Sequence, residues 1–109
     1  MIRAGDVVVV DFLGATGIKR RPTVVLSSDA YHAARPDLIL GVITSNTAQA
    51  TTAFDHVILD WQVAGLRSPS AFRTYISMAA PRAVRIVGRL SERDWRAVQA
   101  CCELAIRMT

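Results

Sequence analysis

The sequence has few of the side chains that build metal or redox sites. Its only cysteines, Cys101 and Cys102, are adjacent, so a disulfide between them would be strained, and neither has the CxxC spacing of a zinc site. The only histidines, His32 and His56, lie in separate segments without a partner at metal-binding spacing, and we interpret them as structural. The aspartates are scattered rather than paired, which disfavours two-metal nuclease chemistry. We therefore expect no metal and no other cofactor.

Long apolar runs and leader features are also missing. No stretch approaches the roughly 20 apolar residues of a membrane span, and the first residues lack the charged start, apolar centre and cleavage site of a signal peptide. We expect a cytoplasmic protein with no membrane partner. There is no P-loop and no GxSxG nucleophile elbow. Without repeats, low-complexity tracts or linkers, residues 1–109 are expected to form a single domain.

Positive charge is abundant. Thirteen basic residues, all but one of them arginine, stand against nine acidic residues, and the formal net charge is +4. A hydrophobic content of 51% is too high for a disordered chain, so the protein folds. Arginine is suited to bidentate contacts with phosphate, which favours an anionic partner. Arginine bias can also follow from genomic base composition, so composition alone leaves nucleic-acid binding open.

The strand pattern indicates a mainly β protein. Six short runs of β-branched or apolar residues, bounded by turn-forming residues, occur at 7–12, 23–26, 38–43, 56–59, 71–78 and 84–90. Many short strands separated by turns are typical of a small closed or nearly closed barrel, which hides its strand edges.

A helical pattern begins at Ser91. Ser91 is a candidate N-cap, and Glu92 and Asp94 complement the positive end of a helix dipole. Apolar residues then follow helical spacing on one face, namely Trp95, Val98, Cys102, Ala105 and Ile106. We predict a C-terminal helix whose apolar stripe packs on the core or forms a dimer contact.

Consecutive cations stand out between the first two strands. Residues 14–22 are predicted to form a flexible, glycine-containing loop that carries Lys19, Arg20 and Arg21. Pro22 fixes its own φ and biases Arg21 toward an extended conformation, so that this side chain leaves the loop in a defined direction. By itself, the pattern is equally typical of a solvated hairpin tip.

Two further polar features accompany apolar strands. The third strand ends abruptly in Thr44, Ser45 and Asn46, and strand ends are where functional loops meet a rigid scaffold. Arg73 interrupts the fifth strand. Taken alone, the first feature is usually a turn and the second a surface arginine.

These pieces together resemble the MazF/PemK family of toxins from type II toxin-antitoxin systems. The similarity runs nearly end to end, and its motifs are 5–12, 19–27, 40–45, 66–70 and 87–91. The motifs are individually short, but their order and spacing are specific.

The resemblance implies an SH3-like β-barrel of the PemK/MazF type with a C-terminal α-helix, assembled as a homodimer. It also implies a metal-independent, sequence-specific endoribonuclease that cleaves single-stranded RNA by 2′-hydroxyl attack and is neutralised by a cognate antitoxin. Carried over by position, the catalytic residues are Arg21 and Thr44. The expected RNA-binding residues are Lys19, Arg20, Arg73, Ser45 and Asn46. The charged, partly disordered segment of an antitoxin is expected to compete with RNA for the same basic groove.

The sequence departs from the family pattern after Arg73. Some members have an acid two residues further on, where this chain has Tyr75. We therefore expect Arg73 to contact phosphate without an acidic partner. The uncharged loop between Thr47 and Phe54 is expected to border the RNA groove.

Two other functions fit the same sequence. One is a toxin of the same architecture that inhibits DNA gyrase by binding it, which would need neither the Arg-Pro step nor the strand-end threonine. The other is a non-catalytic SH3-like module that holds RNA with salt-sensitive affinity.

Overall fold

The structure, a computed structural model, describes residues 1–108, with the backbone alone for residues 12–14. Within these residues, six strands, two α-helices and two short 3₁₀ helices follow one another. The strands are β1 (Asp6–Gly14), β2 (Gly17–Val25), β3 (Leu38–Thr44), β4 (Asp55–Val57), β5 (Ala71–Ala79) and β6 (Val84–Arg89). The α-helices are α1 (Asp29–Ala34) and α2 (Glu92–Ala105), and the 3₁₀ helices are Thr47–Gln49 and Pro81–Ala83.

All six strands belong to one antiparallel sheet with the order β4-β5-β3-β2-β1-β6. Register shifts between Val7 and Val8 and between Gly41 and Val42 interrupt the ladders, and such bulges increase the local twist. The sheet curls into a half-barrel whose edges in the described residues are β4 and β6. The predicted fold class, mainly β with a C-terminal α-helix, is confirmed, although the barrel is not closed by hydrogen bonds between these edges.

Each face of the sheet carries its own apolar cluster. The helix face, against which α2 packs, contains Val7, Val24, Ile43, Phe72, Val98 and Cys101. The opposite face contains Val8, Val10, Val25, Leu38 and Leu40. Successive strand residues point to opposite faces, so burial on both faces explains why four consecutive valines follow Asp6 in β1.

The start of α2 is fixed by a buried carboxylate. The Ser91 N-cap is confirmed, since its Oγ accepts a hydrogen bond from the Asp94 backbone N–H. Asp94 is fully buried, and its carboxylate accepts hydrogen bonds from His56 Nε2 at 2.8 Å, Leu59 N at 2.9 Å and Asp60 N at 2.8 Å. Burial acts to raise the pKa of Asp94, but these hydrogen bonds outweigh it and hold the pKa below its ordinary value. Asp94 therefore joins α2 to the segment that follows β4.

Several predicted boundaries were wrong. The loop expected over residues 14–22 is a tight turn at Ala15 and Thr16, and β2 begins at Gly17. The fourth strand, predicted over 56–59, is Asp55–Val57, and one further hydrogen bond in the same register joins the Ile58 N–H to the Ser70 carbonyl. Helix α1 was not foreseen, and its Ser28 cap is its main sequence signal.

The apolar stripe of α2 is only partly buried against the core. Val98 and Cys101 are buried, and Trp95 and Cys102 pack against the same cluster. Ala105 and Ile106 are exposed, with Ile106 60% accessible, because the helix extends beyond the edge of the apolar cluster. Within residues 1–108, no helix is long and apolar enough to cross a membrane.

Candidate active site

Pro22 ends the pairing between β2 and β3. The Leu26 N–H donates to the Ile39 carbonyl at 2.8 Å, so the even-numbered residues of β2 turn their backbone N–H groups toward β3. Pro22 has the same parity but no N–H, and the described ladder stops at the Thr23 and Val42 pair. The two strands therefore form a fork beyond this pair.

Arg21 and Thr44 lie at this fork. Each is two residues beyond the last pair, so the register places them opposite one another on the face that carries Thr23 and Val42. Both residues line each of two adjoining clefts. The structure thus brings the two predicted catalytic residues together.

The first cleft is large and cationic, with a volume of about 670 Å³. Five basic side chains line it, namely Lys19, Arg20, Arg21, Arg67 and Arg85. Among the lining residues in the described part of the chain, none is acidic. Focused positive charge of this kind raises the local concentration of anions.

Close backbone packing brings Arg67 to this cleft. Gly65 has φ +82°, and a Cβ there would lie 2.2 Å from the Val87 carbonyl oxygen. A Cβ on Gly88 would lie 2.2 Å from the Ala64 carbonyl oxygen. The two glycines therefore let the segment after β4 lie directly on β6, which places Arg67 beside the sheet.

The remaining predicted RNA-binding residues differ in their surroundings. Arg20 pairs with Asp11 at 3.0 Å, and both side chains are at least half exposed, so the ion pair adds little to stability. Lys19 and Ser45 line the first cleft. Asn46 is exposed next to it and donates its backbone N–H to Thr44 Oγ1 at 3.1 Å. Of these residues, Asn46 thus acts on the site by orienting the threonine hydroxyl.

The second cleft, of about 300 Å³, joins Arg21 and Thr44 to Arg73. Gln49 connects the last two, because its Oε1 accepts from Thr44 Oγ1 at 3.4 Å and from Arg73 Nη1 at 3.5 Å. Both hydrogen bonds are long and hence weak. The cleft therefore holds the polar side chains of Arg21, Thr44, Gln49 and Arg73 beside apolar residues of β2 and β3.

The expectation that Arg73 lacks an acidic partner was wrong. Asp55 on β4 pairs with Arg73 on β5 in the sheet, and Asp55 Oδ1 lies 3.6 Å from Arg73 Nε. Burial acts to raise the pKa of Asp55, but hydrogen bonds from Thr52 and Thr51 and the nearby guanidinium outweigh it and lower the pKa. The acid comes from the neighbouring strand rather than from the position of Tyr75.

Sequence reasoning did not select Gln49, Asp55, Arg67 or Arg85 as site residues. Strand pairing is the signal that places Arg85 at the site, because Arg85 pairs with Val9 and Val9 pairs with Pro22. Gln49 belongs to the uncharged loop that was expected to border the groove. The cross-strand partner of Arg73 has no local sequence signal.

The histidines and cysteines take structural positions. His56 bonds to Asp94, and His32 Nε2 lies 2.5 Å from Ser27 Oγ. Burial and the neighbouring Cys101 raise the pKa of Cys102 to about 11, which disfavours a reactive thiolate. No cluster of three or more histidine, cysteine or acidic residues forms a metal-binding group within residues 1–108.

An antiparallel half-barrel with a terminal helix and a cationic cleft at a strand fork defines a small protein of the mainly β class. Comparison with protein families narrows this class. The chain belongs to the family of PemK-like, MazF-like toxins of type II toxin-antitoxin systems, whose profile matches residues 3–106. The family predicted from the sequence is thereby confirmed. A search of curated proteins gave no match.

Solved structures share the fold at low sequence identity. An endoribonuclease in complex with its cognate antitoxin, from a mycobacterial species, is 12% identical with a TM-score of 0.79, and the match covers 100% of this chain and 98% of that one. MazF in a MazE-MazF crystal structure from Deinococcus radiodurans is 20% identical with a TM-score of 0.75 and coverages of 99% and 98%. The toxin MazF-mt6 of Mycobacterium tuberculosis is 16% identical with a TM-score of 0.75 and coverages of 95% and 98%.

Proposed function

We propose that this toxin is a metal-independent endoribonuclease that cleaves single-stranded RNA in the cytoplasm at short recognition sequences. The observation that supports this most is the meeting of Arg21 and Thr44 at the β2–β3 fork, where both line two clefts. A strand bound across the fork presents a phosphodiester to a guanidinium and a hydroxyl at once.

The substrate supplies the nucleophile in this reaction. The 2′-hydroxyl loses its proton to water as its oxygen attacks the adjacent phosphorus, the bond from phosphorus to the 5′-oxygen breaks, and that oxygen takes up a proton from water. The products are a 2′,3′-cyclic phosphate and a 5′-hydroxyl. Arg21 carries a fixed charge that stabilises the negative charge of the transition state. Thr44, held by Asn46 and Gln49, orients the phosphate or the attacking hydroxyl.

The surrounding residues hold the strand. Lys19 and Arg20 bind its phosphates, Ser45 and Asn46 contact it beside the fork, and Arg73 binds it on the far side of Thr44. A cognate antitoxin neutralises the toxin by placing an acidic, partly disordered segment in the first cleft. We further propose a homodimer, supported by the exposed apolar side chains of Ile76, Met78 and Ile106, which are 46%, 50% and 60% accessible.

The test is incubation of the purified protein with a defined RNA in EDTA, followed by mapping of both new ends. We expect 5′-hydroxyl ends, which accept label from polynucleotide kinase without prior phosphatase treatment. Arg21→Ala and Thr44→Ala should each lower the rate by on the order of a hundred- to a thousandfold. Arg96→Ala is the matched control, because Arg96 pairs with Glu92 at 2.6 Å on the exposed side of α2.

Full activity in both site variants would refute the assignment. Salt-sensitive RNA binding without product would instead favour the non-catalytic module. Co-purification with gyrase and no RNA cleavage would favour the gyrase inhibitor.

A further inference from the structure

A third cleft, of about 390 Å³, lies on the other side of Arg73 from the fork. Arg73 lines both this cleft and the second one, so the third cleft is continuous with the proposed reaction site. Its walls are aromatic and hydroxyl-bearing, and they include Phe54, Tyr75, Thr52 and Thr74.

Tyr75 presents an aromatic ring in this cleft. The residue is 58% exposed, although the guanidinium of Arg73 lies over its ring with Cζ 4.7 Å from the ring centroid. Arg73 Nη2 also donates to Tyr75 Oη at 3.3 Å. The two contacts limit the rotation of the ring, so little conformational entropy remains to be lost when a planar ligand stacks on it.

Asp55 and Gln49 lie beside Arg73 beneath the ring. Arg73 Nε is 3.6 Å from Asp55 Oδ1, Arg73 Nη1 makes a long hydrogen bond of 3.5 Å to Gln49, and the Asp55 side chain is only 5% exposed. Asp55 Oδ2 in turn accepts hydrogen bonds from the backbone N–H groups of Thr51 and Thr52 at 3.2 and 3.0 Å and from Thr52 Oγ1 at 2.8 Å. The Arg73 guanidinium therefore positions Tyr75 while it also lines the second cleft.

Phe54 is fixed on the neighbouring wall. Its carbonyl oxygen accepts hydrogen bonds from Thr74 N at 3.2 Å and Thr74 Oγ1 at 2.7 Å, which ties the loop before β4 to β5. Phe54 itself remains 42% exposed. The cleft is thus a preformed aromatic recess rather than a mobile loop surface.

We infer that Tyr75 stacks on an unpaired nucleobase of the RNA beside the cleaved phosphodiester, and that it thereby contributes to the choice of cleavage site. The inference rests on the proposed function. A nucleobase is favoured because the recess adjoins a cationic phosphate-binding cleft, and because bases of single-stranded nucleic acid stack readily on aromatic side chains. The strand would lay its phosphates on the first cleft and turn one base past Thr44 toward Tyr75.

The test uses an uncleavable 2′-O-methyl oligonucleotide that carries 2-aminopurine at one internal position, moved along the strand in a series. Stacking quenches the fluorescence of this base, so we expect quenching at one position with the wild-type protein. Tyr75→Ala should abolish the quenching and weaken binding by on the order of ten- to a hundredfold. Tyr75→Phe keeps the ring and should retain both. The control is Val57→Ala, an apolar residue on the neighbouring β4 that is 45% exposed and does not line the cleft.

Cleavage of a random RNA pool gives a second readout, in which Tyr75→Ala should relax the base preference at one position next to the cut. Unchanged quenching and preference in Tyr75→Ala would overturn the inference. So would equal losses in Tyr75→Phe and Tyr75→Ala, which would assign the effect to the hydroxyl.

Dissociation of a dimer by Tyr75→Ala without a change in quenching would assign the ring to a contact between copies. Because the oligonucleotide is not cut, a wild-type protein that lacks nuclease activity would refute the proposed function without affecting the quenching result.

Discussion

Pro22 has two separate effects on the candidate site. Its ring favours an extended conformation for Arg21, which the structure has within β2. Its missing N–H stops the β2–β3 ladder and opens the fork in which Arg21 and Thr44 lie. The sequence predicts the first effect, whereas the second requires knowing which neighbour the residue faces.

Pro22→Ala tests the second effect. Alanine restores an N–H that can donate to the carbonyl of Ile43, so the ladder should extend and the fork should narrow. We expect RNA cleavage to fall by about a hundredfold, as small displacements of reacting groups can cause, while the melting temperature stays the same or rises. Calorimetry and initial rates measure the two quantities. A variant as active as the wild type would show that the fork does not depend on Pro22.

The sequence position of Asp94 suggests an exposed side chain, whereas the structure buries it. Its place in the first turn of α2 is typical of an exposed acid that complements the helix dipole. The structure buries it completely, where it accepts hydrogen bonds from His56 and two backbone N–H groups. No local pattern shows that the segment after β4 folds back onto this turn.

Asp94→Ala should lower the free energy of unfolding by about 3 to 5 kcal/mol, because it leaves buried donors without an acceptor. The folded-state pKa of Asp94 is depressed, so the stability that it contributes is present above its unfolded pKa and is lost as the pH falls through the folded value. Urea titrations below about pH 4 should therefore show a shallower acid dependence in the variant. Glu92→Ala, on the exposed side of the same turn, is the control. Parallel acid limbs for wild type and Asp94→Ala would contradict this account.

At the scale of elements, sequence reasoning succeeded where burial sets the pattern. The valine run of β1 is a strong signal, because a strand that is buried on both faces needs apolar residues at successive positions. The capped start of α2 is another, because the unpaired backbone N–H groups of a first helical turn favour a side chain such as serine that accepts a hydrogen bond. The first half of β2 was missed because Lys19, Arg20 and Arg21 are exposed and do not alternate with apolar residues. The short α1 was missed because six residues show no helical period.

The contact of the segment after β4 with β6 is the element-scale feature most sensitive to substitution. Gly88→Ala would force a Cβ against the Ala64 carbonyl oxygen, and the segment that carries Arg67 would have to lift from the sheet. We expect a loss of about 1 to 3 kcal/mol in stability together with weaker RNA binding. Val63→Ala, in the same segment and 72% exposed, should change neither. Lower stability with unchanged RNA affinity would show that the position of Arg67 is irrelevant to binding.

At the scale of the whole molecule, the site depends on residues that are distant in sequence. Arg21 comes from β2, Arg67 from the segment before β5 and Arg85 from β6, and only the strand order β3-β2-β1-β6 brings them to one cleft. Arg21 and Thr44 were predicted because the family pattern names them. Arg67 and Arg85 were not predicted, since the sequence contains twelve arginines and no local pattern distinguishes these two as site residues.

The same arrangement predicts how RNA binding depends on salt. For single strands, the slope of log K against log salt concentration changes by roughly 0.7 for each phosphate contact that is lost. Arg67→Ala and Arg85→Ala should each make the slope shallower by about this amount, and the double variant by about twice as much. Arg82→Ala removes the same charge from an exposed 3₁₀ helix outside the described clefts and should leave the slope unchanged. Fluorescence anisotropy with a 2′-O-methyl oligonucleotide separates this effect from cleavage. Equal slopes in the three single variants would mean that the arginines act through net charge alone, whereas a difference between Arg85→Ala and Arg82→Ala would establish that phosphates follow the first cleft past β6.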